Sequence, residues 1–373
     1  MTSAPIPSDA ERTDGELLPG RRGYRLAAEW EPHAATWLAW PHNRDTWPGS
    51  FDAMPGVWTE LVELLAAHEP VHILAGTPQV MDDAQARIGH VRNVSLHDVP
   101  TNDAWIRDYG PMFLVAPNAA PATLVDWEYN AWGQKYPPFD LDNAVPATIA
   151  TRLGQPSCRP GVVLEGGAID ADGQGTVLAN DACLVGPRRN AALDRADFEQ
   201  LLHDYAGVQH VVWLAGPPGA EPGIAGDDTD GHIDQLARFV APGHVVVACE
   251  DDRADDNFAL LGAVERQLRG ATDASGNKFD VTRLPMPRPV LHRGARLPAS
   301  YANFYVANGV VVVPQFHDPA DDPARETLAA LFPGREIYPL DSRQLVRGLG
   351  GVHCVTLSQP ASPPDRPVAE TPT

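Results

Sequence analysis

The chain has 373 residues, 43% of them hydrophobic and 21% charged, the balance of a globular protein able to bury a sizeable core. Its formal net charge is −21 with no basic run, which makes nucleic acid and an anionic membrane poor partners and suits a cationic ligand. The four cysteines (Cys158, Cys183, Cys249, Cys354) form no Cys-x-x-Cys pair, so neither a zinc ribbon nor a disulfide framework is indicated, and a reducing cytoplasm is the expected location.

Residues 1–22 are polar with Pro and Gly and read as a disordered tail, and so does the end from residue 359, with five prolines in fifteen residues. No linker interrupts residues 23–358, which are expected to form one domain. The N-terminus lacks the apolar core of a signal peptide, and the longest apolar runs are of strand length, so no membrane span is expected. Residues 36–40 read as a strand and residues 54–68 as a helix. Residues 71–75 read as a second strand, followed by a helix ending near Ile88, and residues 94–99 as a third strand. Strands alternating with helices predict an α/β protein.

The rest of the chain repeats a theme. Trp105-Ile106-Arg107-Asp108 precedes an apolar strand. Glu165-Gly166-Gly167, Gly231-His232-Ile233-Asp234 and Ser300-Tyr301-Ala302-Asn303 each precede a strand, a glycine-containing turn and a second strand, the signal of a hairpin. Helical stretches follow several of these hairpins, at 193–205, 254–268 and 323–331. The landmarks Asp108, Glu165, His232, Asn303 and Cys354 lie 57, 67, 71 and 51 residues apart. A repeat of roughly 60 residues predicts stacked supersecondary units, and the unit opening at Trp37 makes five. If the units close in a ring, their polar clusters share one axis.

Near the C-terminus, Gly348-Leu349-Gly350-Gly351-Val352-His353-Cys354 puts a cysteine behind a glycine-rich loop, at the mouth of a short β-branched strand. Taken alone, Cys354 is either a nucleophile or a small buried hydrophobe. A thiolate, a histidine and carboxylates in one pocket have few uses. The carboxylates would raise the thiol pKa unless the substrate is itself cationic, and a planar guanidinium can be bound by two carboxylates at once. Attack at its central carbon, loss of ammonia and hydrolysis of the resulting thiouronium need only a histidine as acid and then base, without a cofactor.

These stretches resemble the agmatine deiminase family, within the guanidine-modifying superfamily of five-bladed α/β propellers built from ββαβ-type repeats. The matching segments are Glu29-Trp30-Glu31-Pro32-His33, residues 105–111, Asn130-Ala131-Trp132-Gly133, Glu165-Gly166-Gly167, residues 226–234, residues 299–305 and Val352-His353-Cys354. The resemblance implies Cys354 as nucleophile and His232 as general acid and base. It also implies that Asp108 and Asp234 grip the guanidinium, with Glu165 supporting His232 and the guanidinium. It implies no metal and no cofactor, a small cationic guanidino substrate, and a homodimer as a possible assembly. Trp105 either walls the guanidinium site or belongs to the core; Asn303 either holds the Cys354 loop or completes a strand turn. His353 is read as structural, pointing away from the site if its segment is extended.

For the substrate, the bacterial peptidylarginine deiminases that the chain also resembles have arginines where it reads Tyr129-Asn130-Ala131-Trp132-Gly133. Here no cation occurs before Lys135. Trp132 is placed to cover a methylene chain and to meet an ammonium by cation–π contact, which favours agmatine or another guanidino-amine. The chain departs from the usual family pattern at Gly348-Leu349-Gly350-Gly351-Val352 and at Ala168-Ile169-Asp170-Ala171, both beside the expected pocket. Three other readings stay open from the sequence: a metal hydrolase using Asp227, Asp228, Asp230, His232 and Asp234, with His353 able to join, a non-catalytic binder, and an amidinotransferase. The EF-hand register fails, since the first and twelfth ligands would be Gly226 and Ala237.

Overall fold

The structure is a computed structural model that describes residues 18–116 and 122–361. Most of the two expected tails therefore lies outside the described residues. Inside them, Gly20–Arg22 form a 3-10 turn, and Gln359 and Pro360 belong to the strand Leu357–Pro360, so the ordered chain runs past the expected boundaries.

The fold is mixed α/β, and the described residues form five separate open sheets of three or four strands and one two-stranded ribbon. The first sheet takes Arg25–Leu26, Met112–Val115, Thr123–Val125 and Ser157–Cys158. The second is built from Ile169–Ala171, Thr176–Ala179 and His210–Trp213, and the third from Ala237–Ala241, His244–Cys249 and Asp280–Pro285. The fourth comprises Tyr305–Ala307, Val310–Gln315 and Glu336–Asp341. In these four sheets an antiparallel pair is extended by a parallel strand. Parallel pairing needs a crossover, and the intervening helices supply it: Val145–Leu153, Arg195–Ala206, Phe258–Gly270 and Asp321–Leu331.

The fifth sheet joins the two ends of the ordered chain. His33–Ala39 pairs in parallel with Val71–Leu74, which pairs in parallel with Val94–His97, while Leu357–Pro360 lies antiparallel on the other side of His33–Ala39. Here the antiparallel partner comes from the end of the chain instead of from a local hairpin.

Packing follows from the patterns. Val310–Gln315 is buried along its whole length, as a β-branched strand covered on both faces should be. The helix Phe258–Gly270 buries Leu260, Leu261, Val264 and Leu268, each contributing on the order of 1.5–3 kcal/mol on leaving water. Arg195–Ala206 starts at a capping box, with Asp194 and Asp197 each accepting from the other's backbone N–H.

The arrangement places one short polar turn just before the first strand of each antiparallel pair. These turns are Ile106–Tyr109, Gly166–Ala168, Ile233–Gln235, the bend at 300–303 and His353–Val355. The first, second, third and last pack on one another in a chain of contacts. Cys354 thus sits in a single 3-10 turn that includes Val355, and the strand starts only at Leu357, later than a strand opening directly after the cysteine.

Candidate active site

The turns bring the sequence landmarks together. Cys354 is 6% exposed, and His232, Glu165, Asp108, Asp234 and Asn303 are buried around it. The Cys354 Sγ lies 3.7 Å from Asp234 Oδ2 and receives the Asn303 Nδ2–H at 3.3 Å. Asn303 Oδ1 accepts the His353 backbone N–H at 3.0 Å, so Asn303 both holds the Cys354 turn and touches the sulfur. Of its two expected roles, the loop-holding one matches this geometry.

His232 is fixed from one side. Its Nε2 meets Glu165 Oε2 at 3.1 Å, and its backbone N–H is received by Thr229 Oγ1 at 3.1 Å. The ring's other nitrogen, Nδ1, has no hydrogen-bond partner and stands 3.6 Å from Asp108 Oδ1. Asp108 accepts from the Gly167 N–H at 3.0 Å and from the Trp132 indole N–H, also at 3.0 Å. Asp234 binds His353 Nδ1 through Oδ2 at 2.8 Å, leaving its buried Oδ1 without a partner.

Gly167 marks the space between them. A Cβ there would lie 2.5 Å from His232 Nδ1, 2.8 Å from Asp108 Oδ1 and 3.2 Å from Asp234 Oδ2. Only a residue without a side chain keeps this gap open, and the gap is bounded by an imidazole and two carboxylates.

The electrostatics follow from burial and neighbours. Burial and the Asp234 and Asp108 carboxylates push the Cys354 thiol well above its usual range, while the Gly351 N–H and Asn303 oppose them. Burial would lower His232, but Asp108 and Glu165 outweigh it and raise the imidazole to about 9. Burial lifts Asp108 to about 6, with the His232 charge opposing and Asp234 and Glu165 adding to the rise. Glu165 stays below the ordinary carboxylate range: burial would raise it, and the bonds from His232 and Arg189 prevail. At neutral pH the empty site therefore holds a neutral thiol, a cationic imidazole and ionised carboxylates.

Trp132 reaches Asp108 from an unusual backbone. Ala131, Trp132, Gly133 and Gln134 have φ of 51°, 52°, 86° and 65°, a left-handed turn that is strained at its three non-glycine positions. Asn130 steadies it by accepting the Gly133 N–H at 2.9 Å. Trp105 is buried in the same apolar cluster as Trp132 and Cys354: it packs with Trp47 at 5.2 Å between ring centroids and lies against Gly348 and Gly350 of the loop that precedes Cys354. Lys135, the nearest cation by sequence, is tied to the Asp228 carbonyl and to Asp230, and Arg188 also pairs with Asp230.

Several functional neighbours carried no role at the level of sequence. Arg189 clamps Glu165 with Nε at 2.8 Å and Nη2 at 3.0 Å, both side chains fully buried. Glu29 receives Arg107, Arg238 and His353, and Arg238 also pairs with Asp170. The expectation that His353 points away fails because its segment is a 3-10 turn and not a strand, so adjacent side chains can both reach inward. A charged Arg238 within an apolar strand and the Glu29 motif were the available signals. For the metal reading, the Asp227 carboxylate accepts the Thr229 and Gly231 N–H groups and Asp230 pairs with three cations. Among the described residues no three His, Cys, Asp or Glu side chains converge as metal ligands.

Small α/β sheets whose leading turns present a thiol, an imidazole and paired carboxylates define a guanidine-modifying enzyme. The family model described as Porphyromonas-type peptidyl-arginine deiminase matches residues 25–360. An agmatine deiminase of Pseudomonas aeruginosa is 34% identical over 366 residues, covering 92% of this chain and 97% of its own length. Among solved structures, an agmatine deiminase of Enterococcus faecalis, described as catalysing its reaction, superposes with a TM-score of 0.84 at 30% identity, covering 94% of this chain and 99% of that one. A C. jejuni agmatine deiminase with substrate bound gives a TM-score of 0.82 at 28% identity, covering 91% and 97%. The chain belongs to the agmatine deiminase family of the guanidine-modifying superfamily.

Proposed function

We propose that this enzyme hydrolyses agmatine to N-carbamoylputrescine and ammonia through a covalent adduct on Cys354. One observation carries the reading: the gap at Gly167 is ringed by His232 Nδ1, Asp108 Oδ1 and Asp234 Oδ2, and two buried atoms of these side chains, His232 Nδ1 and Asp234 Oδ1, have no hydrogen-bond partner. A guanidinium placed there brings further N–H donors to Asp108 and a first donor to the unpartnered Asp234 Oδ1. Its charge offsets the carboxylates that hold the thiol neutral, so on binding the thiol loses its proton to solvent and the thiolate forms beside the carbon it attacks.

The protonated His232 then delivers the Nδ1 proton to the departing nitrogen while Glu165 keeps its Nε2–H engaged. Ammonia leaves and an S-alkylthiouronium remains on Cys354. The neutral His232 next takes a proton from water, whose oxygen adds to the same carbon; the C–S bond then breaks, and the hydroxyl proton of the adduct passes to the departing sulfur, which regenerates the Cys354 thiol and releases the ureido product. Glu165 and Arg189 hold the imidazole, Asn303 and the Gly351 N–H support the sulfur, and Trp132 orients Asp108.

Agmatine over arginine is supported by the charged groups that pair with Asp230 and by Asp228. Lys135 and Arg188 are both engaged with Asp230, which leaves neither as a free cation for an α-carboxylate. Asp228, which accepts the Tyr136 hydroxyl at 2.6 Å, adds negative charge suited to an ammonium. The five sheets are read as blades around a common axis, and residues 23–358 as one domain. Four free cysteines suit the cytoplasm. Among the described residues no helix is long and apolar enough to cross a membrane.

The test is a panel of agmatine, arginine, a C-terminal-arginine peptide and longer and shorter guanidino-amines, assayed for ammonia and ureido product without added acceptor amine. Agmatine should give the highest kcat/KM. Acid quenching should leave added mass on the peptide carrying Cys354, and Cys354→Ser should abolish turnover. Turnover that needs an acceptor amine would move the assignment to an amidinotransferase.

A further inference from the structure

His353 sits in a position that the chemistry above does not use. Its Nδ1 faces Asp234 Oδ2 and its Nε2 faces Glu29 Oε2, each at 2.8 Å. Carboxylate oxygens only accept, so each contact requires an N–H on the ring unless one of the acids holds the proton. Both acids favour their ionised forms: burial would raise Glu29, but Arg238, His353 and Arg107 hold it well below the ordinary range, and burial would raise Asp234, but the His353 bond keeps it low. The charged groups around the ring are thus Asp234 and Glu29 in direct contact, with Arg107 and Arg238 on Glu29 and Asp170 beyond Arg238. Three carboxylates face two guanidiniums, and a doubly protonated His353 makes the buried cluster neutral.

We propose that His353 is the positioning residue of Asp234, an imidazolium strung between Glu29 and Asp234 that fixes the carboxylate on one oxygen and leaves the other for the substrate. The geometry has the required asymmetry, because Oδ2 is engaged by His353 and Oδ1 is buried and unpartnered. The anchor is rigid at its far end. Glu29 Oε1 accepts the Val306 N–H at 2.9 Å and Arg238 Nη2 at 2.9 Å, and Arg107 Nη2 reaches Oε2 at 2.9 Å. Behind the ring lies a cavity of about 110 Å³ that Glu29, Arg107 and His353 line in part. Without the clamp, Asp234 loses its only hydrogen bond from a cationic ring, and the His232 imidazole is the cation left beside it until substrate arrives. Its charge and its rotamer would then have to be set by the substrate itself, at the expense of binding.

The proposal rests on the deiminase reading for its kinetic arm only. With agmatine as substrate, His353→Leu should lower kcat/KM about 10- to 100-fold, the range for removing a group that orients a ligating side chain. The loss should fall mainly on KM, since Asp234 grips the guanidinium before and during reaction. His353→Asn keeps an N–H near the Nδ1 position and should recover at least tenfold of that loss. A merely structural histidine would lower the melting temperature without this KM and kcat split and without rescue by Asn. Equal kcat/KM for His353→Leu and wild type, or equal loss for His353→Leu and His353→Asn, would overturn the proposal.

The second arm needs no substrate. In ¹⁵N-histidine-labelled wild-type protein, the His353 signal, identified by its absence from His353→Asn, should show both ring nitrogens protonated at neutral pH. A ring with one bare nitrogen would overturn the proposal. If no guanidine is turned over at all, the functional reading fails while the spectrum still decides the state of His353.

Discussion

Replacing Gly167 by Ala tests the pocket with a single methyl. The added carbon would lie 2.5 Å from His232 Nδ1 and 2.8 Å from Asp108 Oδ1, where ordinary contacts start at 3.4 Å. Neither neighbour is the loose end of a flexible side chain, because Glu165 holds the imidazole while Trp132 and the Gly167 N–H hold the carboxylate. Relief therefore needs a shift of about 1 Å at the groups that bind and protonate the substrate, and a displacement of that size costs about 100-fold in rate. The same crowding should destabilise the fold by about 1–3 kcal/mol, offset in part by the reduced freedom of the unfolded chain on losing a glycine. Steady-state ammonia release on agmatine gives kcat/KM, and thermal unfolding shows that the variant is folded. A folded Gly167→Ala enzyme with kcat/KM within about threefold of wild type would refute the assignment of this gap as the guanidinium seat.

The pH dependence should also follow the site. Asp108, at about 6, must be ionised to bind the cation, and His232, at about 9, must be protonated to expel ammonia, so kcat/KM should fall below about 6 and above about 9 as the macroscopic limits of a coupled pair. His232 is raised from 6.5 to about 9, so its contribution to stability is full below 6.5 and is lost as pH rises through about 9; melting temperatures of His232→Asn should lack that part of the alkaline decline. Arg189→Met strands the buried Glu165 carboxylate and should destabilise by about 3–5 kcal/mol. Adding Glu165→Gln should restore much of the melting temperature but not the activity, and a double variant no more stable than Arg189→Met would refute the pairing.

Legibility in the sequence tracked the range of the interaction. The hairpins at 169–179, 237–249 and 305–315 were readable because alternation and a glycine turn are local, and the structure places antiparallel pairs at each. The five landmark residues were readable because each precedes a strand at a similar spacing. What escaped is held by contacts without a period. Arg189 lies in a loop and finds Glu165 across 24 residues, and Glu29 finds His353 across 324. The side-chain direction of His353 was misjudged for a different reason: the strand pattern of Val355-Thr356-Leu357 was extended backwards into residues that form a tight turn. The Asn130-Ala131-Trp132-Gly133 segment was recognisable, but its left-handed run was not, since only one of its strained residues is a glycine.

The pairing of Leu357–Pro360 with His33–Ala39 has a consequence for biosynthesis. Four of the polar turns are translated long before the fifth, so a nascent chain, or one clipped ahead of its last strand, owns acids and an imidazole but lacks a sulfur to use. The Cys354 thiol meets the carboxylates and imidazole around it only when head and tail have been zipped together. Chemistry is in this way withheld until folding is finished.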